Sequence, residues 1–282
     1  MAQFLLRSGK ADEAVPYLKA VIRANPSHVE ANGLLATYYE RRGDREQAVN
    51  HLETLLRLNP NIPGVKLHLA NLYGKTGRIE EGLAKAKEVV AALPNSAAAL
   101  LVLGELHLSR GDNAEAIATL SKAIKLDPKV ATAHFALALA YQQNREPDKA
   151  MDEYRKTIAL SPDNTLAYNN LAWLLADRKQ NLDEALKFAK LANERTPNTA
   201  AILDTLGWVY YERGSYKEAE PPLAQAAKLA PNNVAIQYHL GMAYYKLGKK
   251  DDAIQTLRAA TRRDPNFAEA KKIKDILKEL EG

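Results

Sequence analysis

Histidine is the residue type with which this sequence would most readily bind a metal or exchange protons. None of its six histidines stands three or four residues from another, the spacing that places two imidazoles on one helix face. The sequence contains no cysteine, which excludes thiolate metal sites, cysteine nucleophiles and disulfides. We therefore predict no metal site and no cofactor.

One short motif resembles the end of a phosphate-binding loop. Gly74, Lys75 and Thr76 follow one another, but Leu69 stands where such a loop needs its first glycine, and no strand pattern precedes it. Aspartate and glutamate are plentiful, yet their spacing places them on solvated helix faces rather than as a pair in an apolar cleft, where acid–base catalysis needs them. We predict no catalytic residues and no enzyme activity.

The composition is that of a folded, soluble protein. Hydrophobic residues make up 46% and charged residues 26% of the 282 residues, a balance that argues against disorder. No window approaches the roughly 18 consecutive apolar residues of a membrane span, and the opening MAQFLLRSGK lacks the features of a secretion signal. The net charge of +5 is too diffuse to predict nucleic acid as a partner. The compartment stays open between bacterial cytoplasm and periplasm.

One class of proline recurs along the whole chain. The successive gaps are 34 residues, except for one of 35. These prolines are Pro26, Pro60, Pro94, Pro128, Pro162, Pro197, Pro231 and Pro265. Each indicates the end of a helix, because proline lacks an amide hydrogen and disfavours helix in the residue before it. A small residue stands twelve positions before each proline, which predicts close approach of two helices there. These small residues are Ala14, Ala48, Gly82, Ala116, Ala150, Ala185, Ala219 and Ala253.

Two further features recur in register with the prolines. Glycine stands seventeen residues before most of them, where a turn between helices favours a left-handed backbone. Further back, leucine is followed by alanine or glycine and, three residues later, mostly by tyrosine, as in Leu35-Ala36 with Tyr39. The whole pattern resembles the tetratricopeptide repeat along essentially the entire chain. The resemblance implies an all-α fold, a right-handed α-solenoid superhelix of antiparallel helix hairpins. A two-layer globular domain is the alternative.

The register divides the chain into one hairpin per unit. Seven complete units are predicted at 29–62, 63–96, 97–130, 131–164, 165–199, 200–233 and 234–267. Residues 1–28 are predicted to be a truncated first hairpin, because Leu5 takes the place of the recurrent tyrosine; we expect the chain to be a piece of a longer protein. Residues 268–282 are predicted to form an amphipathic capping helix that covers the last apolar surface.

Two departures from the repeat predict local differences. The loop RKQNLD in 165–199 is one residue longer than its counterparts and lacks the usual glycine, so its hairpin turn should differ. Gly82 replaces alanine within a helix, which should cost roughly 1 kcal/mol of stability.

The resemblance also implies where a partner binds. Such arrays present the first helix of each hairpin on a concave side, and its residues outside the repeat signature line a groove for a peptide or helix of another protein. These positions are mostly polar or small in the first units and become aromatic from residue 131. Because Trp and Tyr are frequent binding anchors, we predict a groove chiefly in the C-terminal half. Its residues are Phe135, Asn169, Trp173, Asp204, Trp208, Tyr211, Tyr238, Met242 and Tyr245. The open alternative is that these rings are solenoid core between neighbouring first helices.

We therefore predict a non-catalytic scaffold for protein–protein interaction. The alternative is a self-assembling spacer that stacks end to end. A third possibility is attachment to an anionic partner through basic residues near the C-terminus. These are Lys246, Lys249, Lys250, Arg258, Arg262, Arg263, Lys271, Lys272 and Lys274.

The runs YNNLAWLLADRKQNLDEALKFAK and YHLGMAYYKLG give a narrower resemblance. Over roughly residues 165–250 the chain is similar to bacterial repeat proteins, including exosortase-associated lipoproteins of the envelope. This implies a bacterial source and a role in protein export or polysaccharide assembly. The partner's identity and the oligomeric state do not follow from the sequence.

Overall fold

The computed structural model describes Leu5, Ser8 and residues 10–282, and all regular structure in these residues is α-helical. The predicted all-α class is therefore confirmed. The helices are α1 (Ala11–Ala24), α2 (Val29–Arg41), α3 (Arg45–Leu58), α4 (Pro63–Lys75), α5 (Ile79–Ala92), α6 (Ala97–Arg110), α7 (Asn113–Leu126), α8 (Ala131–Gln143), α9 (Pro147–Leu160), α10 (Thr165–Asp177), α11 (Leu182–Arg195), α12 (Ala200–Glu212), α13 (Tyr216–Leu229), α14 (Val234–Lys246), α15 (Lys250–Arg263) and α16 (Ala270–Glu281).

The chain divides into two compact units. The first ends at Ala150 and the second is Met151–Gly282, so the division falls inside α9. In the first unit α2 pairs with α3, α4 with α5, and α6 with α7, each pair joined by a short turn. In the second unit the corresponding hairpins are α10 with α11, α12 with α13, and α14 with α15.

Successive hairpins stack within each unit. The first helices lie against one another, α4 against α6 and α6 against α8 in the first unit, and α10 against α12 and α12 against α14 in the second. The second helix of a hairpin also packs against the first helix of the next, as α5 does against α6 and α13 against α14. This is solenoid packing, in which a hairpin buries its apolar side only against its neighbours.

The recurring small residues lie at the tightest helix contacts. All eight predicted positions are buried, and their alanines are fully so. The small residues that follow the signature leucine on the first helices also lie close to the second helix of their own hairpin. A Cβ added to Gly104 would stand 2.6 Å from Leu120 Cγ, and one on Gly207 would stand 2.4 Å from Leu223 Cγ. Glycine at these two positions therefore allows the two helices of the hairpin to approach this closely.

Gly82 corrects one expectation from the sequence. A Cβ at this position would meet Leu106 Cδ2 at 2.8 Å and the carbonyl oxygen of Ala70 at 3.0 Å. The low helix propensity of glycine, about 1 kcal/mol, is therefore offset by close packing against the next first helix. Replacing Gly82 with alanine would not recover the cost that helix propensity alone suggests.

The turns inside the hairpins use left-handed backbone as predicted. Five glycines have φ between 71° and 88°. They are Gly43, Gly77, Gly111, Gly214 and Gly248. Arg145 takes this conformation where glycine is missing, with φ 61°. The longer loop after α10 has two such residues, Lys179 at φ 52° and Asn181 at φ 44°, so its turn differs from the others.

Helix α16 packs against α15 through one face. Ile273 and Ile276 are buried and Leu277 is partly buried, while Lys271, Lys274 and neighbouring charged residues are exposed. At the other end of the chain, Leu5 is buried with 8% exposure. The remainder of the predicted truncated helix lies outside the described residues.

Candidate partner-binding face

Most of the predicted groove residues lie on the three adjacent first helices of the second unit. Each helix carries two of them four residues apart, which places both on one helix face. The pairs are Asn169 with Trp173 on α10, Asp204 with Trp208 on α12, and Tyr238 with Met242 on α14. Tyr211 and Tyr245 lie one turn further along α12 and α14. We call these eight residues the aromatic face.

Trp208 is the centre of a ring stack on this face. Its indole lies 4.6 Å from the ring of Tyr211, at an interplanar angle of 7°, and 6.1 Å from Tyr238. All three rings are less than 10% exposed. Burial, together with nearby Tyr216 and Tyr238, raises the pKa of the Tyr211 phenol well above its usual value. These rings fill the space between α12 and α14, as the packing alternative expects for them.

A hydrogen-bonded pair of ionisable groups lies beside this stack. His239 Nδ1 donates to Asp204 Oδ1 at 2.8 Å, since an ionised carboxylate only accepts, and both side chains are 12% exposed. The His239 imidazole also stacks on Trp208 at 4.1 Å. Asp204 is thus held by α14, and its place in a partner-binding groove stays a prediction.

Sequence reasoning misses His239. It precedes Leu240 of the repeat signature and carries no motif of its own. The signal that could have revealed it is its position 35 residues after Asp204, next to Tyr238 at the matching repeat position. Neighbouring first helices bring such residues together in a solenoid.

Asn169 and Trp173 take no part in the ring stack around Trp208. Asn169 is 8% exposed, and its amide nitrogen donates to Asn170 Oδ1 at 3.3 Å, but its own carbonyl oxygen Oδ1 has no hydrogen-bond partner. Trp173 is partly buried, and none of the described aromatic rings stacks on it. A buried acceptor next to a partly exposed indole is a suitable surface for a peptide.

The remaining predicted residues have different surroundings. Met242 is buried at 2% exposure. Tyr245 is partly buried and donates to the Glu279 carboxylate of α16 at 2.9 Å. Phe135 is partly buried on α8, which belongs to the first unit.

The first unit has a different surface at the matching repeat positions. A cleft of about 230 Å³ opens between α4 and α6. Its lining residues are Asn71, Gly74, Lys75, Val102, Glu105, Leu106 and Ser109. We call it the α4–α6 cleft. The sequence does not predict it, because the positions Asn71, Gly74 and Glu105 are merely polar or small.

At the α4–α6 cleft the Lys75 ammonium group has a carboxylate partner, whereas the Glu105 carboxylate has no such partner among the described residues. Lys75 Nζ donates to Glu40 Oε1 at 2.7 Å, and the other oxygen of Glu40 lies 3.0 Å from His68 Nε2. The hydrogen bonds from Lys75 and His68 outweigh burial and lower the pKa of the Glu40 carboxyl. Glu105 is partly buried, and burial raises its pKa, a shift that nearby Lys75 reduces.

Several of the basic residues near the C-terminus are paired within the second unit. Lys249 donates to Glu220, and Arg258 lies 2.8 Å from Glu281. The ammonium group of Lys272 lies 5.6 Å from the ring centre of Tyr238. The two ion pairs neutralise part of the charge that an anionic partner would need.

The described part of the chain contains neither a group of metal ligands nor a helix of membrane-spanning character. No three His, Asp or Glu side chains among residues 10–282, Leu5 and Ser8 are grouped so that they could hold a metal ion. The same residues include no helix with the length and apolar character that a bilayer crossing requires.

Comparison with known families decides which repeat this is. Models described as tetratricopeptide repeat or TPR repeat match residues 5–70, 104–144, 131–164, 153–187 and 210–276. The chain belongs to the tetratricopeptide repeat (TPR) proteins. No curated protein matches it.

Solved structures with the same fold are distant in sequence. A chain of the APC/C hetero-tetramer Cut9-Hcn1 matches 96% of this chain with a TM-score of 0.65 and 20% identity, and this chain spans 53% of its length. A TPR protein from Parabacteroides merdae matches 90% of this chain, and 98% of its own length, at TM-score 0.60 and 16% identity. YrrB, described as a TPR protein with an unusual peptide-binding site, matches 67%, and 97% of its own length, at TM-score 0.55 and 21% identity. At such identities these matches establish the fold alone.

Proposed function

We propose that this protein is a non-catalytic scaffold that binds a peptide or helix of a partner protein on the aromatic face. The TPR fold supports a role in protein–protein interaction. The observation that carries the finer proposal is the unpaired, buried Oδ1 of Asn169 beside the partly exposed Trp173. An apolar side chain of the partner packs on the indole, and the Asn169 side chain turns outward so that a backbone N–H of the partner donates to its Oδ1.

The energetics favour such an occupant. A buried polar atom without a hydrogen bond costs about 1–3 kcal/mol, a cost that a donor on the partner removes. Tryptophan anchors in protein interfaces often account for about 2 kcal/mol or more when truncated. The stacked rings of Trp208, Tyr211 and Tyr238 hold α12 and α14 together, and α10, which carries Trp173, packs against α12.

Two wider predictions from the sequence have less support. YrrB has a peptide-binding site, but its resemblance to this chain concerns the fold. The similarity of residues 165–250 to exosortase-associated lipoproteins, and the role in export or polysaccharide assembly that it implies, stay predictions. So does end-to-end self-assembly; growth of the average mass with concentration in sedimentation experiments would support it.

The proposal is tested with peptides selected from a random display library on the full chain. The affinity of a selected peptide is then measured by titration calorimetry for Trp173→Ala, Asn169→Ala and the wild type. We expect W173A to weaken binding about 30-fold and N169A about tenfold, because each loses one of the two contacts.

The matched control is Leu166→Ala on the same helix. Leu166 is 57% exposed and lies outside the aromatic face, so its loss should change the affinity less than twofold. Thermal unfolding monitored by circular dichroism checks that all variants are folded. Failure to select any peptide, or wild-type affinity in W173A, would refute the aromatic face as the binding surface.

A further inference from the structure

The α4–α6 cleft combines an apolar wall with an unpaired carboxylate. Val102 and Leu106 of α6 supply the wall, and Gly74 leaves it open because that position has no side chain. A Cβ on Gly74 would stand 2.9 Å from Leu106 Cδ2, so α4 and α6 approach closely at the base of the cleft. The cleft lies wholly within the first unit and shares no residue with the aromatic face.

The cation at the rim is already compensated. Lys75 Nζ is bound to Glu40 at 2.7 Å, so it offers little charge to an incoming anion. Glu105, by contrast, forms no side-chain hydrogen bond or ion pair with any described residue, although it is partly buried. Its backbone carbonyl, not its carboxylate, accepts the hydrogen bond from Ser109 Oγ at 2.9 Å.

The local charge therefore selects a cation. Glu40 and Glu105 carry two negative charges and Lys75 carries one positive charge, which leaves the rim negative when His68 is neutral. Burial disfavours the charged form of Glu105 and raises its pKa. A positive group at hydrogen-bond distance reverses this penalty, because a charge-assisted hydrogen bond is about twice as strong as a neutral one.

We propose that the α4–α6 cleft binds an arginine or lysine side chain of a partner protein, with the charged end on the Glu105 carboxylate and the aliphatic stem on Val102 and Leu106. Long basic side chains suit this arrangement because their stems are apolar and their ends are charged. Asn71 Oδ1 and the lone pairs of Ser109 Oγ supply further acceptors for the remaining N–H groups. The chain thereby gains a charge-selective subsite in addition to the aromatic face.

The test uses Nα-acetyl-arginine N-methylamide as the probe and its uncharged isostere, the corresponding citrulline compound, as the control. Each is titrated into the full chain while the amide signals and the Glu105 carboxylate carbon are followed by NMR. We expect saturable shifts confined to residues of the cleft, in the millimolar range that one side chain can reach. The citrulline compound should bind at least fivefold more weakly.

Two variants locate the carboxylate. Glu105→Gln keeps the shape of the side chain, and we expect it to weaken the arginine probe at least fivefold. Glu115→Gln makes the same charge change on the exposed side of α7, where it should alter binding less than twofold. Lys75→Met leaves the Glu40 carboxylate without its ammonium partner, so the rim becomes more negative and binding should strengthen two- to threefold.

Shifts that scatter over the surface, equal binding of the citrulline compound, or unchanged binding in folded E105Q would each overturn the proposal. The outcome is separate from that of the aromatic face. Trp173→Ala lies in the other unit and should leave the arginine probe's affinity unchanged, so either proposal can fail while the other survives.

Discussion

The first-helix faces of the two units are built from the same repeat positions but are filled differently. In the second unit Trp208, Tyr211 and Tyr238 bury one another, and His239 holds Asp204 between α12 and α14. In the first unit the equivalent surface is an open cleft with a charged rim. The repeat therefore fixes the backbone and the helix contacts, whereas the side chains at non-signature positions determine whether a face is closed or open.

The largest effect on stability should come from the close contact between the two helices of a hairpin, which occurs in both units. Gly104→Ala in the first unit and Gly207→Ala in the second each place a methyl group against a buried leucine, so both should lower the free energy of unfolding by about 1–3 kcal/mol. Urea unfolding followed by circular dichroism measures both.

Gly33→Ala is the control for this pair. Gly33 is helical, and nothing lies within 4 Å of an added Cβ, so alanine should stabilise the chain by about 0.5–1 kcal/mol. If G104A and G207A also stabilised it, close helix approach would not be the reason for glycine at these positions.

The charged groups on the two faces should differ in importance. Asp204→Ala removes the partner of His239 from a site where both side chains are 12% exposed, which should cost about 1–3 kcal/mol. Glu40→Ala removes a carboxylate that is 25% exposed and pairs with Lys75 at the surface, which should cost less than about 1 kcal/mol. If chemical denaturation showed equal losses of unfolding free energy for the two variants, the charged groups of the two units would not differ in importance.

The stability of the second unit should also depend on alkaline pH. Tyr154 is fully buried, and burial raises its pKa to about 12 from the usual 10. The folded chain therefore retains this proton while the unfolded chain loses it, so stability falls as the pH rises from 10 to 12. Tyr154→Phe should reduce that fall, as measured by the urea midpoint at pH 9 and pH 11. An unchanged pH dependence would show that the Tyr154 phenol is not responsible.

The repeated features of the sequence predict most of the fold. The prolines, the small residues and the glycines act within one hairpin or between adjacent ones, so their spacing alone indicates where helices end, approach and turn. The left-handed glycines and the buried alanines agree with these expectations. The altered turn around Lys179 and Asn181 is also visible in the sequence as one extra residue and a missing glycine.

The candidate site depends on contacts that the repeat does not encode. Asp204 is hydrogen-bonded to His239, and Tyr245 is hydrogen-bonded to Glu279, whereas Asn169 Oδ1 has no hydrogen-bond partner. The repeat positions of these residues do not indicate which of them are paired. Such contacts depend on side-chain rotamers and on the small rotation between neighbouring helices, which sequence spacing does not specify.

By itself, the sequence determined the TPR class, the helix order and the positions that require small residues, because these follow from local backbone preferences and from a fixed period. The tertiary structure was needed to show that Trp208 is stacked while Trp173 is partly exposed. It was also needed to show that the Glu105 carboxylate lies unpaired in a cleft. The burial of a side chain and its hydrogen-bond partners depend on several neighbouring helices. Side chains at the same repeat position in one chain therefore have different chemical environments.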